Sequence, residues 1–208
     1  SGIERLGKVQ TFYMAGSPIP EVVAEAFVNQ GIAPQNVYGM TECSSHQYTH
    51  PSDPKEVWVS TCGRGGPAYE VKIWDPENPD EELSQGSSGN VGGRGAAMML
   101  GYFGNQSATE AAFNRHGYLL SGDLGSFDAE GNLRIEGRIK DLIIRGGHNI
   151  YPSRIESLAL THAAVEKVAA FGVPHDRLGE KVCLAVIGNV SADEMLEHLA
   201  FEGLSKFD

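Results

Sequence analysis

Two different apolar rhythms occupy this chain, and the switch between them near residue 55 limits the fold more than any other feature of the sequence. Before it, "VQTFYMAG" (9–16) reads as a buried strand, and "IPEVVAEAFVNQ" (19–30) puts Ile19, Val22, Val23, Ala26 and Phe27 on one helical face, with Gly31 as the stop. "NVYGM" (36–40) is a second short strand. Strand, helix, strand is an α/β beginning. The stretch after it, "TECSSHQYTHPSDP", is expected to be an irregular polar loop because its Pro and Asp residues punctuate it. A loop leaving a strand end is where open sheets bind ligands.

After residue 55 the period shortens. "AYEVKIWD" sets Tyr69, Val71 and Ile73 against Glu70, Lys72 and Trp74, and "GSFDAEGNLRIEG" is two strands about a glycine-bearing turn, so a small β-barrel or sheet is expected. "SATEAAFNR" interrupts it as a helix, with a capping box from Ser107 to Glu110. Beyond Gly137 the sequence predicts a strand in "DLIIR", a helix with Pro152 in its first turn, and strands in "VEKVAAFGV" and "KVCLAVIG". A last helix starts at Ser191, with Glu194 three residues on, and ends near Gly203. The tail is therefore an α+β unit.

Charge and cysteine content narrow the partners. Asp and Glu outnumber Lys and Arg by 27 to 16, a net charge of −11, which argues against general affinity for nucleic acid or anionic membrane. Cys43, Cys62 and Cys183 are an odd number without CxxC spacing, so a reducing, cytoplasmic setting is expected rather than a disulfide or zinc scaffold. No apolar run approaches the ~20 residues that span a bilayer.

Three stretches carry chemistry. "YGMTE" (38–42) gathers an aromatic face, a hydroxyl and a carboxylate at a strand end, suited to a flat base, a phosphate oxygen and a hard cation; an ordinary strand-to-loop turn has the same look. "YLLSGDLG" (118–125) holds Asp123 at a strand tip, able to accept bonds from a diol or from its own backbone. "GRIKDLIIRGGHNIYPSRIE" (137–156) combines the Arg138 fork and Lys140 with Gly146 and Gly147, which allow close backbone approach. Weaker patterns are set aside. "GSSGNVGGRG" follows a loop and opens no helix, as a dinucleotide fingerprint must. Glu42, His46 and His50 have metal-like spacing in a poor helix, and nothing positions Cys43 as a nucleophile.

In order, "AGSPIP", "YGMTE", "RGAAMMLGYF", "YLLSGDLG" and "GRIKDLIIRGGHNIYPSRIE" resemble the adenylate-forming superfamily of acyl-CoA synthetases, nonribosomal-peptide adenylation domains and beetle luciferases, over roughly residues 9–188. "RGGHNIYP", "FGVPHDRLGEKV" and "MLGYFGNQSAT" look most like a carboxylate-CoA ligase. The resemblance implies α/β plus α+β architecture. Residues 1–137 would be the C-terminal part of the large AMP-binding domain, with an α/β segment to 54 and a barrel-like subdomain over 55–137. Residues 138–208 would be most of the small lid domain. It implies that Gly16 and Ser17 line the adenine and acyl pocket, and that Tyr38 stacks on adenine with Gly39 and Met40 beside it. Thr41 would contact phosphate, Glu42 would hold Mg2+, and Asp123 and Arg138 would grip the ribose. Lys140 would be the hinge, and Gly146, Gly147 and His148 would line the CoA channel.

The implied partners are a small carboxylic acid, ATP and CoA. The chain departs from the pattern in three places. It has no glycine-rich phosphate loop and no C-terminal Ser/Thr-Gly-Lys lysine, and Asn90 stands where a glutamate is usual. It therefore reads as a fragment that does not form acyl-adenylate by itself. A domain loading a carrier protein and a non-catalytic nucleotide-binding module are the alternatives.

Overall fold

The computed structural model describes residues 6–16 and 19–204. The chain divides into two units, Ser1–Ile135 and Glu136–Asp208.

The first unit opens with β1 (Thr11–Ala15), α1 (Glu21–Asn29) and β2 (Ala33–Met40), and β1 pairs with β2 in parallel from Thr11↔Ala33 to Ala15↔Val37. Phe12 stacks on Phe27 of the crossover helix with ring centroids 4.8 Å apart. The buried side of α1 differs from the expected one. Ala24 is its buried residue, whereas Val22 and Val23 stay 45% and 41% exposed.

A larger difference follows. Ser44–Tyr48, expected as irregular loop, is a strand, β3, antiparallel to β2 with pairs from Val37↔Tyr48 to Met40↔Ser44. The connection is tight enough that Ser44 adopts φ +59 and a Cβ on Gly39 would collide with the Ser44 carbonyl. Gly39 is thus needed where two backbones touch, a use of glycine that polarity patterns do not display.

α2 (Lys55–Ser60) leads to a four-stranded sheet in the order β4 (Tyr69–Trp74), β5 (Gly89–Gly95), β6 (Leu119–Phe127) and β7 (Leu133–Arg138). Cys62, Ile73, Val91 and Leu133 form its core, joined by Tyr38, Phe127 and Ile135. The strict alternation expected for β4 fails at its end, because Ile73 and Trp74 are both 3% exposed. Trp74 is covered on the second face by His116 and Tyr118. α3 (Gln106–Ala112) begins earlier than expected. The Asn105 side chain caps it by accepting from Ala108 N–H at 3.0 Å, in place of a Ser107 box.

The second unit is a sheet in the order β10 (Val165–His175), β11 (Gly179–Gly188), β8 (Ile143–Arg145), β9 (His148–Ile150). It carries α4 (Pro152–Leu160), with Pro at its first turn, and α5 (Ala192–Phe201), whose Ser191–Glu194 capping box forms. Ile143, Ile150, Ile155, Ala159, Ala170, Met195 and Leu199 are its core.

Candidate functional site

Tyr38 near the end of β2 and Asp123 on β6 are 85 residues apart in sequence, yet the Tyr38 hydroxyl donates to Asp123 Oδ2 at 2.8 Å. The phenol is fixed at its other side by His46 of β3, which meets the ring edge-on at 89° with centroids 5.4 Å apart. Burial first, and then the Asp123 charge, push the Tyr38 pKa well above that of an ordinary phenol. The hydroxyl is therefore a donor at any working pH. Asp123 is set by its own turn: its N–H donates to Ser121 Oγ at 3.0 Å, and the N–H of Gly122, at φ +74, donates to Asn90 Oδ1 at 3.0 Å. Asn90, the position where the family pattern has a glutamate, thus serves a neutral backbone donor, for which an amide oxygen suffices.

The next residues are tied to a third stretch. The Glu42 carbonyl accepts from Met99 N–H at 2.7 Å, and Glu42 Oε1 accepts from the Tyr102 hydroxyl at 3.0 Å. Tyr102 is anchored in turn by its N–H to Thr109 Oγ1 of α3, at 2.9 Å. Thr41 is exposed beside them and Met40 is half-buried. So "YGMTE", "LGYF" and "SGD" converge in the first unit. Gly16 ends β1 at φ +93 with open space where a Cβ would stand, while Ser17 lies outside the described residues.

Among the described residues, no group of three or more His, Cys, Asp or Glu side chains could hold a metal ion. Glu42 offers a single carboxylate, with Oε1 accepting from the Tyr102 hydroxyl. A Mg2+ ion is commonly held by one or two carboxylates, with substrate phosphates and water completing the shell.

Buried Cys43 has its thiol pKa raised, mainly by desolvation, so it rests neutral beside Glu42. His46 is 3% exposed with Nδ1 unpartnered, and burial lowers its pKa to about 4. A cavity of about 390 Å³ elsewhere in the unit is lined by residues including Glu70, Lys72, Trp74 and Arg94. Its charges already satisfy one another, Arg94 with Glu70 and Lys72 with Glu82, each at 2.6 Å.

In the second unit, Arg138 ends β7 and Lys140 lies in a 3-10 turn, Ile139–Asp141. Gly146 and Gly147, at φ +57 and +84, form the two-residue turn of the β8–β9 hairpin, closed by the pair Arg145↔His148. Sequence reasoning missed Tyr102 and Ser121, and it read His46 as a loop histidine rather than as a brace for Tyr38. Tyr102 and Ser121 lay inside quoted motifs, but their roles depend on contacts between strands.

Residues 2–103 match the family described as AMP-binding enzyme. The medium-chain fatty-acid–CoA ligase of Escherichia coli (strain K12) is 30% identical over 207 residues, 97% of this chain and 36% of its own length. The long-chain-fatty-acid–CoA ligase of Escherichia coli O157:H7 is 38% identical over 173 residues, 83% of this chain and 30% of its own. The solved structure of ATP-bound MatB from Rhodopseudomonas palustris superimposes with a TM-score of 0.87 at 29% identity, over 96% of this chain and 40% of that one.

The chain belongs to the AMP-binding enzyme family. It spans about a third of the length of the curated relatives it matches. For an AMP-binding chain, the convergence of Tyr38, Asp123 and Glu42 in one unit is the feature that bears on chemistry.

Proposed function

We propose that the protein belongs to a carboxylate-CoA ligase that activates an acid with ATP and passes the acyl group to CoA. The observation that carries this is the Tyr38–Asp123 hydrogen bond, which joins an aromatic face to a carboxylate beside Thr41 and Glu42. Adenine lies on the Tyr38 ring, and Asp123, a carboxylate held at 2.8 Å from the Tyr38 hydroxyl, accepts from a ribose hydroxyl. The Thr41 hydroxyl donates to a phosphate oxygen, and Glu42 holds Mg2+. When bound, that ion neutralises charge on the phosphates that two anionic reactants must approach.

In the first reaction a carboxylate oxygen bonds to the α-phosphorus and the bond to pyrophosphate breaks. In the second, the CoA sulfur bonds to the acyl carbon, AMP leaves, and the thiol proton goes to solvent. The roles expected of Arg138 and Lys140 concern the second unit and do not enter this reading. A reducing, cytoplasmic location suits the three free cysteines. No described helix is long and apolar enough to cross a membrane.

Calorimetric titration with AMP tests the site. Asp123→Ala should weaken binding about tenfold, the effect of losing one hydrogen bond to a charged group. Equal affinity in wild type, Asp123→Ala and Tyr38→Ala would refute the assignment.

A further inference from the structure

One short stretch of chain holds Glu42 at two points. The Glu42 carbonyl accepts from Met99 N–H at 2.7 Å, and its Oε1 accepts from the Tyr102 hydroxyl at 3.0 Å, so backbone and carboxylate are both fixed by residues 99–102. A half-buried glutamate left to itself samples many rotamers. Here the Tyr102 bond selects among them and engages Oε1, which leaves Oε2 as the oxygen presented to a ligand.

The holding stretch is stiffened in turn by the start of α3. Tyr102 N–H donates to Thr109 Oγ1 at 2.9 Å, and the Thr109 hydroxyl gives its own proton to the Asn105 carbonyl, also at 2.9 Å. Asn105 N–H donates back to the Tyr102 carbonyl at 3.1 Å, which closes the turn. Gly101 is required inside it: at φ +151, a Cβ there would meet Thr109 Cγ2 at 2.8 Å and Oγ1 at 2.9 Å. Apolar packing does little of this work. Leu100 and Phe103, on either side, are fully exposed, and Tyr102 itself is 40% exposed. Hydrogen bonds therefore set where the phenol stands.

We propose that Tyr102 is a positioning residue for the metal, fastening Glu42 through Oε1 so that Oε2 meets a divalent cation carried in with the nucleotide phosphates. The proposal rests on the reading of Glu42 as the Mg2+ ligand. A group hydrogen-bonded to a ligating carboxylate fixes its orientation, and loss of such a partner typically lowers metal affinity about ten- to a hundredfold. A phenol suits the position because it donates without charge. A Lys or Arg would orient the carboxylate equally well but would repel the ion.

Calorimetric titration of the 208-residue chain with MgATP, with ATP in EDTA and with AMP in EDTA tests it. MgATP reports on Glu42, and the two metal-free titrations report on Tyr38 and Asp123. Tyr102→Phe keeps the ring and should raise the Kd for MgATP about tenfold while leaving both metal-free affinities unchanged. Glu42→Gln should raise it at least as far, and adding Tyr102→Phe to Glu42→Gln should change nothing more, because the tyrosine acts only through that carboxylate. Thr109→Ser, which keeps the hydroxyl, should match wild type, and Thr109→Val should weaken MgATP alone. MgATP bound equally by wild type and Tyr102→Phe, beside a loss in Glu42→Gln, would overturn the proposal and leave Glu42 as the metal ligand. A uniform loss of all three nucleotide titrations in Tyr102→Phe would also overturn it, since the tyrosine would then be holding the fold. If Glu42→Gln bound MgATP as wild type does, the metal reading of Glu42 would fail and this proposal with it.

Discussion

His46 shows how one residue's environment reverses a sequence expectation. Read in a polar loop it is a loop histidine with metal-like spacing to Glu42 and His50; on β3 it is buried against Tyr38 and Tyr69, with centroids 5.4 and 5.5 Å away. Its folded pKa of about 4 lies below the unfolded value of 6.5, so between those pH values the unfolded chain binds a proton that the folded chain refuses. Stability contributed by the neutral ring is present above about pH 6.5 and is lost as pH falls toward 4, by at most about 3 kcal/mol. Urea unfolding of wild type and His46→Phe at pH 7 and pH 4.5 checks this. The acid-induced drop should shrink by ~1–3 kcal/mol in the variant. An identical drop in both proteins would mean another group governs acid sensitivity. His46 also braces the ring that the proposed adenine contact needs, so the variant should be assayed for AMP affinity as well.

At the scale of elements, what could be read from the sequence depended on whether local chemistry or cross-chain contact fixed the element. The Ser191–Glu194 box was legible because both partners lie within one turn of α5. The same reasoning applied at Ser107 placed the α3 start two residues late. Asn105 Oδ1 there takes the Ala108 N–H, while Gln106 Nε2 donates to Glu110 Oε1 at 2.8 Å and engages the carboxylate that a box would use. Asn105→Ala should therefore cost about 1 kcal/mol in thermal or urea unfolding, and Ser107→Ala only a few tenths. The reverse ranking would restore the box. β3 was illegible for a further reason. Its pairing depends on Gly39, Ser44 at φ +59 and a register shift between Tyr38 and Gly39, none of which leaves an apolar period.

For the molecule as a whole, the order of motifs was readable and their convergence was not. "YGMTE", "LGYF" and "SGD" are separated by tens of residues, and only the β2–β3 hairpin and the β4–β7 sheet bring Tyr38 to Asp123 and Tyr102 to Glu42. Each unit has its own core, around Leu133 in the first and Ile155 in the second, so each can hold a ligand seat on a rigid base. A nucleotide seat at Tyr38–Asp123 predicts a footprint confined to the first unit in native-state hydrogen exchange. A ligand that binds only the folded state at 100 times its Kd adds about 2.7 kcal/mol against any opening that destroys its seat. AMP should slow the amides of residues 38–42 and 121–124 and leave those of 171–181 unchanged. Within that footprint, amides whose exchange requires the seat to open should slow by about a hundredfold at that saturation. If AMP instead protected 171–181 as strongly as 38–42, protection would not report a seat built by the Tyr38–Asp123 hydrogen bond, and the assignment of the nucleotide to that pair would fail.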